Sequence, residues 1–270
     1  MKFFLLIVIA ALPFVNVAQT VPSYVPTNGL AGWWPFNGNA NDESGNGNNG
    51  TVNGATLTND RNGNVNCAYS LDGISNYISV ISSPPLNLNS SFTISAWVYK
   101  NNNLPMAFVS KARLSNNTYS YHLSTGQSGS TLMSIAINND PPTGGCNNCN
   151  IYCGSNNGDT LSWIHTVGTW DGTTLNFYAN GLLTSSCNGT LGSTGTLISN
   201  NFDLLFGKFP DNVSYHNGKL DDIGIWTRAL TQQEITNLYN GSVTTGLNND
   251  FQNNELNIFP NPSDGKVNIV

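Results

Sequence analysis

Hydrolysis of a glycosidic bond needs two flanking carboxylates, about 5–5.5 Å apart in retaining enzymes, one acting as acid and one as nucleophile. The chain has three glutamates to offer, Glu43, Glu234 and Glu255. The first lies in a Gly/Asn-rich loop, the second in a predicted helix cap and the third in the tail, so none stands on a strand beside a partner acid. Asp221 and Asp222 are adjacent, but strand alternation sends their side chains to opposite faces. His122, His165 and His216 are scattered singly, without an H-E-x-x-H or G-x-S-x-G element. His165, within "SWIHTVGTW", reads as a hydrogen-bonded core histidine. These residues predict a domain that is not an enzyme.

Metal binding has better support. The loop "FNGNANDESGNGNNG" sets Asn37, Asn48 and Asp42 among glycines. Calcium takes six to eight oxygens from carboxylates, amides and carbonyls, and a glycine-rich loop can fold around it. The loop carries two carboxylates, Asp42 and Glu43, so a further ligand must come from elsewhere. Asp221 is the candidate, because alternation places it on a face with Ile223 and Ile225, where an inward carboxylate needs a partner. The expected cofactor is therefore a structural Ca2+ held by Asp42 and Asp221, with Asn37 and Asn48. The competing reading is an Asn/Gly turn, with Asp221 satisfied by backbone amides.

Sugar recognition rests on exposed rings. In "FTISAWVYK", Phe92, Ile94, Ala96 and Val98 face one way and Thr93, Ser95, Trp97 and Tyr99 the other. Trp97 and Tyr99, with Tyr121 on the next run, are the expected ligand-binding aromatics, unless both faces of the strand are covered. Trp33, Trp34, Trp163, Trp170 and Trp226 sit in strand motifs and are expected in the core. The Cys-containing loop from 141 to 159 is long for a sandwich connection and is a second candidate site.

The elements that position these residues are short strands between Gly/Asn turns, from about Leu30 to Trp226. Asn180-Gly181 suits the positive φ angles of a type I′ hairpin turn. Strands without helical periodicity predict an all-β fold, a two-sheet antiparallel sandwich. One short C-terminal helix is expected, with Thr231 and Glu234 as a capping box, Leu230 and Ile235 as a hydrophobic staple, and Gly241 as its stop. It is too short to stand alone, so it must pack on the sandwich.

Composition closes off other classes. Charged residues are 9% of 270, nine Lys+Arg face fifteen Asp+Glu, and the chain holds 44 asparagines. So few cations leave no footprint for nucleic acid or an anionic membrane surface. Lys2 and the apolar run from Phe3 to Val15 read as a signal peptide over 1–19, too short for a transmembrane segment. Export makes disulfides the expected state of Cys146, Cys149, Cys153 and Cys187, with connectivity open. Cys67 is left over, as a buried thiol on a strand.

The segments "GLAGWWPFNGNANDESGNGNNG", "SFTISAWVYK", "SWIHTVGTWDGTTLNFYANGLLTSS" and "GKLDDIGIWTRALTQQEITNLYNG" occur in the order of a laminin-G-like domain, of the bacterial concanavalin A-like jelly-roll group. The resemblance implies such a domain over 20–241, followed by a linker over 242–255. Glucan-cleaving enzymes on this fold carry Glu, Asp and Glu as E-x-D-x-x-E, which is missing here. The resemblance also implies a structural calcium between an N-terminal loop and the late "DD" strand. It points to carbohydrate binding or cell adhesion, with a polysaccharide or cell-surface glycan as partner. The alternatives are a protein–protein adhesion or scaffold domain, and an accessory domain of a larger secreted hydrolase. The tail over 256–270, "LNIFPNPSDGKVNIV", resembles the opening of the type IX secretion sorting domain of Bacteroidetes, cut short. It implies a protein released or held at the cell surface.

Overall fold

The computed structural model describes residues 21–113, 118–126, 130–138, 149–155, 159–188, 196–197, 201–210, 214–243, 259–260 and 267–268. The expected signal peptide, Cys146, the side chain of Cys149 and most of the linker and tail lie outside the described residues.

The first sheet contains β1 (Leu30–Trp34), β3 (Thr56–Thr58), β4 (Ala68–Asp72), β6 (Phe92–Lys100), β11 (Trp163–Trp170), β12 (Thr174–Ala179), β13 (Leu182–Asn188) and β16 (Asn217–Trp226). The second contains β2 (Gly50–Asn53), β5 (Tyr77–Val80), β7 (Ala107–Arg113), β8 (Thr118–Thr125), β9 (Thr131–Asn138), β10 (Cys149–Ser155), β14 (Thr196–Leu197) and β15 (Leu204–Phe206). The first runs β13-β12-β11-β6-β16-β4-β3, with β1 also on β16. The second runs β10-β9-β8-β7-β15-β5-β2, with β14 beside β9. Neighbouring strands are antiparallel throughout. The predicted sandwich is therefore present.

Alternation along β6 explains how the sheets meet. Phe92, Ile94, Ala96 and Val98 lie in the core between the sheets, packed with Trp34, Phe36, Phe206, Ile223 and Ile225. The opposite face is covered as well. Trp33, Val167, Tyr178 and Trp226 on that face bury against Val25 of the N-terminal segment and against Leu230, Ile235 and Leu238. The last two belong to helix α1 (Gln232–Asn240). Its capping box forms as expected: the Glu234 amide donates to Thr231 Oγ1, and Glu234 Oε2 accepts from the Thr231 amide. Gly241 ends it in the left-handed region at φ 64°. At the hairpin before β13, Asn180 and Gly181 take φ of 49° and 77°, as a type I′ turn requires.

Cys153 and Cys187 form a disulfide with Cα atoms 5.7 Å apart. It ties β10, the edge of one sheet, to β13, the edge of the other, closing that side of the sandwich. A bridge across 34 residues removes unfolded-chain entropy. Reduction, or the C153A/C187A pair, is therefore expected to cost about 2–4 kcal/mol. Urea melts with and without reductant check this, and an unchanged midpoint would refute it. Cys67 departs from expectation: it sits in the turn before β4, half-buried, with its thiol donating to the Val65 carbonyl at 3.4 Å.

Candidate functional site

The site is built around Arg61, which a tight turn presents. Asp60 Oδ1 accepts from the amides of Asn62 and Asn64, both at 2.8 Å, and holds that turn closed. Arg61 Nη1 donates to Asp221 Oδ2 at 2.7 Å, and Nη2 pairs with Asp222 Oδ2 at 2.8 Å. One guanidinium thus spans both carboxylates. This corrects the expectation that Asp221 and Asp222 face apart. A bulge shifts the register of β16 between Asp221 and Gly224, and Asp222 takes φ 45°. Aspartate tolerates the left-handed region better than most residues, and a bulge re-aims side chains. The same bulge separates Asp221 from Ile223 and Ile225. Asp221 pairs with Trp97 on the outer face, while Leu220 and the two isoleucines stay in the core.

Asp221 and Asp222 share this single cation. Burial, and then the neighbouring Asp222, push Asp221 well above the carboxylate range against the pull of Arg61. Burial likewise pushes Asp222 up. Glu43 is pushed up to about 7 by burial, then by Asp222 and Asp42, and its Oε2 has no hydrogen-bond partner among the described residues. Burial, followed by Asp222, raises Tyr24 to about 12.

Beside this cluster lies a groove of about 620 Å³ lined by Tyr24, Arg61, Asn62, Trp97, Trp163, Tyr239, Asn240 and Gly241. Trp97 is its floor and not a free platform. Tyr239 stacks on it with centroids 5.6 Å apart, the Arg61 guanidinium lies 4.4 Å from its ring centroid, and only 7% of the residue is exposed. Tyr99 is half-buried, edge-on to Trp163, with Lys219 Nζ 5.2 Å from its ring. Tyr121 is fully buried in the core and donates its hydroxyl to the Leu86 carbonyl, so it reaches no ligand surface. The available rings are Tyr239, 38% exposed, and the half-buried Trp163 and Tyr24. Sequence reasoning placed Trp163 in the core and docked the helix that carries Tyr239 on the sandwich. A tyrosine beside the helix stop, able to lean over the neighbouring turn, was the signal for Tyr239.

The residues expected to hold calcium do not fit one. Asp42 Oδ1 accepts from the amides of Trp33 and Ser44, and Oδ2 from that of Asn48. Its carboxylate organises the loop from within. Asn48 donates to the Ala31 carbonyl and accepts from the Ser83 hydroxyl. Asp221 belongs to a separate set, with Arg61, and Asn37 lines the small pocket on that side. Among the described residues no group of three or more His, Cys, Asp or Glu could hold a metal ion.

His165 Nε2 shares a 2.9 Å hydrogen bond with Ser95 Oγ, beneath Trp97 and Tyr239. No acid pairs with it among the described residues.

Residues 72–236 match the family model of the concanavalin A-like lectin/glucanases superfamily. No curated protein matches the sequence. Among solved structures, the binding domain of Paraclostridial Mosquitocidal Protein 1 shares 20% identity at a TM-score of 0.59, over 80% of this chain and 52% of that one. Domain 4 of AbnA, a GH43 extracellular arabinanase from Geobacillus stearothermophilus, was solved with arabinotriose. It shares 20% identity at 0.57, over 78% of this chain and 98% of that domain. A botulinum neurotoxin serotype D ligand-binding domain solved with N-acetylneuraminic acid shares 16% at 0.58, over 80% and 51%. The chain spans about half the length of the toxin binding domains it matches.

Proposed function

Because the chain belongs to the concanavalin A-like lectin/glucanases superfamily, we propose that it is a non-catalytic glycan-binding module whose Arg61 groove takes a neutral oligosaccharide. The observation that carries this is the composition of the groove: Tyr239 and Trp163 flank it, and Asn62 and Asn240 lie beside them. Rings offer flat apolar surface to the C–H faces of a sugar, and amides bond its hydroxyls. AbnA domain 4, solved with arabinotriose, supports the reading by likeness of fold.

Charge selects the class of sugar. Both Arg61 Nη atoms are committed to Asp221 and Asp222, and Asp60 adds a further carboxylate nearby. The cation among the groove's described lining residues is therefore already engaged when a carboxylate arrives. Sialylated and uronic-acid glycans are disfavoured, despite the likeness to a domain solved with N-acetylneuraminic acid. The signal-peptide pattern and the sorting-like tail support export by the type IX route, to where the module would hold a larger protein or a cell against polysaccharide.

A panel of neutral and acidic oligosaccharides, including arabinotriose and N-acetylneuraminic acid-terminated glycans, tests the proposal. Binding confined to neutral members is the expected result. Preference for the acidic ones would overturn the charge argument, and a blank panel on folded protein would favour a protein adhesion partner.

A further inference from the structure

Nine Asn-Gly pairs lie among the described residues. In this dipeptide the glycine amide can attack the asparagine side chain unhindered, since glycine has no side chain of its own. Hydrogen bonds protect most of the nine. Asn46 and Asn53 donate their amides to backbone carbonyls, while Asn49, Asn180 and Asn217 accept at Oδ1. Asn28, Asn37, Asn62 and Asn240 are exposed with no side-chain hydrogen bond. Three of these four line the Arg61 groove or the pocket beside it.

The glycine that follows singles out one of them. Gly38 donates its amide to two carbonyls at 2.8 Å, and Gly241 donates to the Asn237 carbonyl in the helix cap. The Asn28 carbonyl is fixed by Arg228 Nε at 2.8 Å, and the Arg228 chain packs over Gly29. The Gly63 amide has only a 3.3 Å bond to the Asp60 carbonyl, and the space over its Cα is open.

We infer that Asn62-Gly63 is a self-modification site at which the module loses a side-chain amide and gains a carboxylate inside its own groove. The Gly63 nitrogen gives its proton to water and adds to Asn62 Cγ. A C–N bond forms, the Cγ–Nδ2 bond breaks, and ammonia leaves. Water then opens the cyclic imide at either carbonyl, yielding aspartate or isoaspartate, with no change of oxidation state. The new carboxylate joins Asp60, Asp221 and Asp222 around Arg61, and the isoaspartate form also lengthens the turn. Weakened glycan binding by aged protein follows, and that part alone rests on the function proposed above.

The test is peptide mapping by mass spectrometry after the full chain is held folded at mildly alkaline pH, compared with fresh protein and an N62Q variant. Asn62 should convert about tenfold faster than Asn180 or Asn217, the factor expected when a protecting hydrogen bond must break first. Conversion at all three at one rate, or an intact Asn62 beside converted Asn180, would overturn the inference. Arabinotriose binding is then compared between fresh, aged and N62Q protein. Equal binding by fresh and fully converted protein would remove the functional consequence. Failure of fresh protein to bind any glycan would count against the glycan reading and leave the mass-spectrometric result standing.

Discussion

Replacing Arg61 with alanine is expected to destabilise the domain by about 3–5 kcal/mol, the range for stranding a buried charge without its partner. Asp221 is 2% exposed and accepts from Arg61 at 2.7 Å, so R61A leaves its carboxylate inside the protein with one remaining donor, the amide of Asp222. The Trp97 ring loses its cation at the same time. The pH dependence separates this cause from simple loss of packing. Without the guanidinium, the folded-state pKa values of Asp221 and Asp222 rise further above their unfolded values. Groups of that kind contribute stability at low pH and lose it as pH rises. The deficit of R61A should therefore widen as pH rises, most clearly above about pH 9, where Asp221 ionises in the wild-type protein. Urea denaturation of both proteins at pH 6 and pH 10 reads it directly, and a deficit that is small or the same at both would show that Arg61 does not act as the counter-ion.

The second large effect is acid lability from buried histidines. Burial pushes His122 down to about 4 and His216 to about 4; burial and then Arg61 push His165 to about 3. In the unfolded chain each titrates near 6.5. The sign follows: the folded-state pKa lies below the unfolded one, so stability is intact above about pH 6.5 and falls as pH drops towards the folded values. Between pH 6.5 and 5 each histidine costs roughly 2 kcal/mol, and the three together about 6. Glu43, raised to about 7 and partly exposed, titrates the opposite way and offsets part of the loss. Nuclear magnetic resonance titration should find three imidazoles neutral at pH 5 in the folded domain. An imidazole titrating near 6.5 would contradict this for that residue.

The strands were legible because period-two alternation in "FTISAWVYK" maps onto two real surfaces, the inter-sheet core and the helix-covered outer face. The helix was legible because Thr231, Glu234 and Gly241 act locally. The site was much less legible. Arg61 meets Asp221 across 160 positions, and no local pattern encodes that pairing. The bulge opens at Asp222, whose residue type gives no local sign of it, so alternation gave the wrong phase for Asp221 and, with it, the calcium ligand set that joined it to Asp42. Trp97 was picked for the correct face, but only tertiary structure reveals that Tyr239 and Arg61 already occupy its ring. Asp42 was picked as a metal ligand on composition. Its oxygens are instead directed at three backbone amides, which a sequence cannot distinguish from a cation.

The glycan groove is tested most directly by measuring the affinity of a neutral oligosaccharide, arabinotriose first, for the wild-type domain and for W163A and Y239A. Each variant must keep its wild-type circular dichroism. Loss of one central aromatic contact costs about 2 kcal/mol, so each variant should bind roughly thirtyfold more weakly. Undiminished affinity in both folded variants would place any glycan site elsewhere on the sandwich and contradict the reading of the Arg61 groove.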